Sequence, residues 1–272
     1  KSMAEYPIFQ IDAFAARALM GNPACVMPMD AYPDDEVLQA IAAENNVPET
    51  AFIVPVEGNR WKLRWFTPTV EVPLCGHATL ASAHALFDHM DFDGSKIIFE
   101  TRKSGELIVQ KTEVGYLMDF PAPAISKTEI TEDIVEALGA RPVAAWAGSF
   151  FAAEFASVEE VLALKPDLSK LAALSGEGRW ERGNFGCFAD GGEDVDVTSR
   201  FFAPGSGIDE DPATGSWHCM LTAVMAERTD KSTFRCFQAY PGRGARIDTR
   251  LDGDRVLLAG QAVTIIEGIF KL

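Results

Sequence analysis

Three short stretches of this chain join reactive side chains to turn-forming and small residues: Pro48-Glu49-Thr50, Leu74-Cys75-Gly76-His77-Ala78-Thr79 and Asp209-Glu210-Asp211-Pro212-Ala213-Thr214-Gly215-Ser216. Glu49 stands at the entrance of an apolar segment, where a carboxylate is by default an exposed turn residue. If that segment faces a cleft, Ala51 and Phe52 desolvate the carboxylate and raise its pKa, as a general acid/base working near neutrality requires. His77 follows a glycine at a loop-to-helix junction, where an imidazole can cap or pack, or can bind an anionic substrate and relay a proton. Cys75 reads by default as a small buried hydrophobe, although a helix N-terminus would favour its thiolate. Asp211 sits in an acidic run that composition alone would leave solvated. The proline after it and Ala213-Thr214-Gly215-Ser216 instead describe a fixed turn opening a helix, with Asp211 near the N-cap and Ser216 in the first turns.

The elements that must hold these residues are written twice. Arg64-Trp65-Phe66-Thr67-Pro68 and Arg200-Phe201-Phe202-Ala203-Pro204 lie 136 positions apart, which is half of the 272 residues, and Cys75 and Asp211 share that spacing. Phe188 also falls 136 positions after Phe52. In each copy an alternating segment (Trp61, Leu63, Trp65; Val195, Val197, Phe201) predicts a half-buried strand. A loop then leads into an amphipathic helix, over Thr79 to Asp88 in the first copy and Gly215 to Glu227 in the second. Such strand–loop–helix junctions expose unpaired backbone N–H groups on which an anion can dock. The reading is two similar α/β lobes, each a curved sheet around an Ala- and Leu-rich central helix. Residues 1–120 form the first lobe and 121–272 the second, with the boundary at Pro121-Ala122-Pro123 and closing strands near 262–269 that can pack back across it. The two loops are expected to share one cleft, the expected active site.

Composition narrows the partners. Hydrophobic residues make up 47% and charged ones 24%, ordinary globular usage, while 40 acidic against 24 basic residues give −16. That excess argues against nucleic acid and anionic membranes, both of which need a basic footprint. Five widely spaced cysteines (Cys25, Cys75, Cys187, Cys219, Cys236) without a C-x-x-C pair read as free thiols in a reducing compartment. No secretory signal or spanning segment is visible, so the expectation is a cytoplasmic protein; Lys1-Ser2 ahead of Met3 reads as an addition before the natural start. There is no P-loop and no G-x-G-x-x-G between strand and helix, and His77, His84, His89 and His218 lack metal-ligand spacing. Ser216 has no G-x-S-x-G elbow, so a serine hydrolase is disfavoured.

These motifs together carry a resemblance. Gln10-Ile11-Asp12-Ala13-Phe14, Gly21-Asn22-Pro23-Ala24, Pro48-Glu49-Thr50-Ala51-Phe52, the Phe66–Pro68 and Leu74–Thr79 runs and Asp209–Ser216 resemble the PhzF family, the phenazine-biosynthesis-like proteins, over nearly the whole chain. The resemblance implies a diaminopimelate epimerase-like α+β fold of two pseudo-symmetric lobes, a homodimer, no cofactor and no metal. It implies a cofactor-independent isomerase acting on a small carboxylate-bearing substrate like trans-2,3-dihydro-3-hydroxyanthranilate. By motif, Glu49 would move a proton between ring carbons, His77, Asp211 and Ser216 would hold the substrate and assist, and Gly76 and Gly215 would offer N–H groups to its carboxylate. Cys75 would line the same site. Epimerase relatives supply a cysteine from each loop as opposed bases; here Cys75 is matched at the 136 spacing by Asp211. Two alternatives stay open: an amino-acid epimerase or racemase using Cys75 and Asp211, and a protein that binds a small carboxylate or a protein partner without turnover.

Overall fold

The computed structural model describes residues 4–272; Lys1, Ser2 and Met3 lie outside the described residues. They divide into two compact units, residues 4–119 with 259–272, and residues 120–258. In the first unit the apolar alternation resolves into β1 (Glu5–Ala13) and β2 (Asn22–Pro28), helix α1 (Asp35–Asn45), β3 (Glu49–Pro55), β4 (Arg60–Phe66) and the two-residue β5 (Glu71–Val72). Then come α2 (Gly76–His89), β6 (Lys96–Thr101), β7 (Glu106–Thr112) and β8 (Gly115–Pro121). Helix α1 ends on Asn46 in the left-handed conformation, φ 50°, which asparagine tolerates. Its apolar stripe, Leu38, Ile41 and Ala42, packs on Met27, Phe52, Val54 and Phe66 of the sheet. Helix α2 is buried at every position from His77 to Phe87, as a helix enclosed on all sides must be.

The second unit runs β9 (Ser126–Lys127), α3 (Glu132–Leu138), β10 (Ala144–Ala147), β11 (Phe151–Glu154), α4 (Val158–Ala163) and α5 (Leu168–Ala173). It continues with β12 (Phe185–Asp190), β13 (Val197–Phe202), β14 (Glu210–Asp211), α6 (Gly215–Thr229), β15 (Thr233–Tyr240), β16 (Arg243–Asp252) and β17 (Arg255–Gly260). Helices α4 and α5 stay separate, because Pro166 between them lacks the N–H that would continue the first. One sheet face packs on α6 through Trp146, Phe188, Phe201, Trp217, Met220 and Leu221. The other face is covered by α3, α4 and α5 through Ile134, Val161 and Leu171. Finally β18 (Ala262–Lys271) belongs to the first unit and pairs antiparallel along β1, with a bulge at Gln10/Ile11.

The internal repeat is a repeat of topology. In the first unit β1–β2 is antiparallel, β2–β3 parallel, β3–β4 antiparallel, β4–β6 parallel and β6–β7 antiparallel. In the second, β10–β11, β11–β12, β12–β13, β13–β15 and β15–β16 follow with the same senses. The spacing of 136 holds for β4 and β13 but slips by one residue in the strands before them. Phe52 lies opposite Arg64, whereas Cys187, not Phe188, lies opposite Arg200. One residue of slip turns a side chain to the other sheet face, so Phe52 packs under α1 while Phe188 packs against α6. Among the described residues no helix is long and apolar enough to cross a membrane.

Candidate active site

Two arginine forks set the loops that lead into the central helices. Arg64, buried on β4, grips Glu71 with Nε to Oε1 and a terminal nitrogen to Oε2, both at 2.8 Å, and reaches Asp35 at 2.9 Å. Planar guanidinium matches a carboxylate bidentately, so Glu71 and with it β5 are locked beside β4. The turn between them is four residues long, with the Thr67 hydroxyl accepting from the N–H groups of Thr69 and Val70. Arg200 makes the same fork with Glu210 at 2.8 and 2.9 Å and also donates to the Leu164 carbonyl at the end of α4. Its loop is three residues longer. Between Phe202 and Glu210 the chain forms a 3-10 turn at Pro204–Ser206, closed by Gly207 at φ 84°, a conformation that favours glycine.

In the first unit the helix begins at Gly76, three residues before the predicted start. Gly and His are weak helix formers and hid the first turn from a periodicity reading. Cys75 is the N-cap in extended conformation and makes no side-chain capping bond. This places His77 in the first turn of α2, facing β2 and β3. The parallel register Ala24↔Glu49 brings Asn22, two residues earlier on the same face, beside Glu49 at the start of β3. His77 lies between them: Nε2 is 3.1 Å from Glu49 Oε2, while Nδ1 is 3.3 Å from both Cys75 Sγ and Asn22 Nδ2. The Glu49 side chain is only 18% exposed and that of His77 6%. Oε2 and Nε2 are fully shielded yet form no hydrogen bond of good angle, so their contact is close in distance but out of line.

Burial opposes a charge on His77, but Cys75 and Glu49 on its two sides favour one, and the net direction is well above the ordinary imidazole value. Burial, then the Glu49 carboxylate, push the Cys75 thiol up as well. These directions compete, because the sulfur attracts an imidazolium only when ionised. We hold the upward direction for the thiol: with the sulfur neutral, the first of the two attractions on His77 disappears, and burial is left opposing the Glu49 carboxylate alone, so no resting imidazolium is assigned. The donor atoms of Glu49, Cys75 and His77 lie within 4.8 Å of one another, close enough to ligate a cation. A metal there would have to displace the thiol proton and any imidazole proton facing it.

In the second unit Asp211 is buried, at 9% exposure, rather than part of a solvated run. The Thr214 hydroxyl donates to Asp211 Oδ2, and Gln238 from β15 donates to the Asp211 carbonyl at 2.6 Å while accepting from the Thr214 N–H at 2.9 Å. Thr214, not Asp211, is the N-cap of α6. Gly215 is the first helical residue, and Ser216 is exposed on the first turn. The two helices therefore start 139 positions apart (215 − 76), the longer second loop having added three. In this register Cys75 corresponds to Thr214, His77 to Ser216 and Thr79 to His218. The match of Cys75 with Asp211 read from the 136 spacing is corrected accordingly. The correspondence extends to the helix interior, where Thr79 Oγ1 and His218 Nδ1 each bond the carbonyl of their own cap residue, at 2.6 and 2.8 Å.

Glu49, Cys75, Gly76 and His77 are thus brought together in the first unit, and Asp211, Gly215 and Ser216 in the second. Two neighbours escaped the sequence reading. Asn22 looked like a turn residue in Gly21-Asn22-Pro23, and Gln238 looked like an ordinary strand residue. The available signal at Gln238 was a polar side chain in the inward row Phe234, Cys236, Gln238, where burial demands a partner.

The chain is 42% identical over 264 residues to an uncharacterized isomerase of Pseudomonas aeruginosa, covering 97% of each. It superposes on the crystal structure of a phenazine biosynthesis PhzF family protein of Enterococcus faecalis with TM-score 0.92 and 35% identity, over 99% of this chain and 100% of the other. A predicted epimerase of Pseudomonas aeruginosa shares the fold at TM-score 0.70 and 19% identity, over 97% and 98%. The fold is the mixed, sheet-dominated α+β architecture of diaminopimelate epimerase-like epimerases and isomerases, and the protein is an enzyme of the isomerase class. It belongs to the phenazine biosynthesis-like family, whose PhzC-PhzF model matches residues 11–268.

Proposed function

We propose that the protein is a cofactor-independent isomerase that shifts a proton within a small unsaturated or cyclic amino or hydroxy acid, with Glu49 as general acid/base. The observation that carries this reading is the placement of the Glu49 carboxylate, shielded from water, 3.1 Å from the imidazole on the first turn of a helix. In the reaction the Glu49 carboxylate takes a proton from one carbon, the electron pair moves through the adjacent double bond, and the resulting carboxylic acid returns the proton to the carbon at the far end of the allyl system. His77 donates to the charge that develops, and the first-turn N–H groups of α2, without a side-chain cap, favour an anionic substrate carboxylate. We assign Gly76 to that carboxylate, and Asp211, Gly215 and Ser216 to substrate binding from the second unit, with trans-2,3-dihydro-3-hydroxyanthranilate as the substrate type.

The test is Glu49→Gln assayed with trans-2,3-dihydro-3-hydroxyanthranilate and related unsaturated acids, in H2O and D2O. Glutamine keeps size and hydrogen bonding but holds no transferable proton, so turnover should fall at least ~10²-fold while binding persists. Wild-type product should keep the substrate's own hydrogen on the receiving carbon, with deuterium entering only to the extent that the Glu49 proton exchanges with solvent before it is returned. Full turnover by the variant would refute the role of Glu49. An epimerase with paired bases is disfavoured by the corrected register: the residue that corresponds to Cys75 in the second unit is Thr214, whose hydroxyl does not ionise near neutrality.

A further inference from the structure

Asn22 is wholly buried, uncharged, and outside the set of residues to which the reaction has been assigned. Its amide nitrogen lies 3.3 Å from His77 Nδ1. An amide nitrogen only donates, so Nδ1 must present its lone pair to it. The other neighbour of Nδ1, Cys75 Sγ at 3.3 Å, carries a thiol that can likewise donate. The amide calls for that proton placement, and the thiol is compatible with it. Among the described residues, the ring nitrogens lie against two titratable groups, Glu49 from β3 and Cys75 at the cap, and β2 contributes the uncharged Asn22.

We propose that Asn22 is a positioning residue that holds His77 as the neutral Nε2–H tautomer, directing that proton toward the Glu49 carboxylate and keeping the imidazole a hydrogen-bond donor on the side where the reaction occurs. This deepens the reading of Glu49 as acid/base and rests on it. A histidine carrying its proton on Nδ1 would aim a bare nitrogen at the Glu49 carboxylate, and the two lone pairs would repel. A doubly protonated ring would set N–H against N–H at Asn22. The amide thus opposes the attraction that Glu49 exerts in favour of the imidazolium, and the outcome is a single ring proton carried on Nε2, the nitrogen 3.1 Å from Glu49 Oε2. Asn22 owes its position to the parallel pairing of β2 with β3, which also places Glu49.

The proposal is tested on the full-length protein labelled with 15N-histidine. There are four histidines, and His77 is assigned by its loss in His77→Gln. Near neutral pH the wild type should show an unprotonated nitrogen at Nδ1 and a protonated one at Nε2. In Asn22→Asp, a carboxylate replaces the donor: both nitrogens should become protonated, and the titration midpoint of His77 should rise by at least about one pH unit. Cys75→Ser, which keeps a donor, should leave the tautomer unchanged. A wild-type His77 with its proton on Nδ1, or on both nitrogens at neutral pH, overturns the proposal, as does an Asn22→Asp variant that folds and keeps the wild-type pattern. Should Asn22→Asp fail to fold, the wild-type spectrum alone decides. The readout needs no substrate, so it is separate from the Glu49→Gln assay.

Discussion

At the scale of single residues, two side chains differ most from their default reading. Glu49 is half-buried against an imidazole, and Asp211 is buried under the Thr214 hydroxyl. Removing that hydroxyl with Thr214→Val keeps shape but takes a donor from a buried carboxylate. We expect a loss of about 1.5–3 kcal/mol in urea unfolding, the range for a hydrogen bond to a charged group. Cys75→Ser should retain turnover within about tenfold, whereas a mechanism using the sulfur as a base loses far more; steady-state rates on a turned-over acid decide between them. The motif residues were legible because glycine, proline and a reactive side chain coincide. Asn22 was not, since its role depends on a partner 55 positions away that only strand register brings near.

The elements were legible where alternation or helical spacing was strong, as in β4, β13 and the body of α2. They were less so where weak helix formers open a helix, as at Gly76-His77, or where the loops differ in length. Sequence spacing aligned Ala78-Thr79 against Thr214-Gly215, one helical turn out of step. The corrected alignment places His218 opposite Thr79, inside α6. Burial drives its pKa down to about 4, despite the Thr214 carbonyl that accepts from Nδ1. Nε2 is enclosed without a partner, so a proton there would be unsatisfied. The unfolded chain protonates this histidine below about 6.5 and the folded chain only near 4. Its contribution is therefore complete above 6.5 and is lost as pH falls through that window, up to about 3 kcal/mol. His84, whose pKa burial also lowers, acts in the same direction. Denaturant unfolding measured between pH 4 and 7 should show this slope. His218→Thr, copying Thr79, should flatten it while keeping the bond to the cap carbonyl.

At the scale of the molecule, the chain's last strand completes the unit that its first strand begins. β18 pairs with β1 through nine residue pairs from Glu5↔Lys271 to Ala13↔Ala262. Thr264 on β18 also bonds His84 at 3.0 Å and His89 at 2.7 Å on α2. Ending the chain at Gln261 would expose the β1 edge and strip both imidazoles of this partner. The α2 amides should then lose hydrogen-exchange protection, with full protection in the shortened chain as the contrary result. One strand and the central helix of each copy were readable from the duplicated motifs. The return of the last strand to the first unit was only suggested, because pairing between residues 5 and 271 leaves no local trace.

The lone carboxylate has a stereochemical corollary. Glu49 is fixed at the start of β3 by its register with β2, so a proton that it takes and returns reaches a flat molecule from one side. The hydrogen it delivers should therefore settle on a single prochiral position of the product, and a racemic mixture should not form.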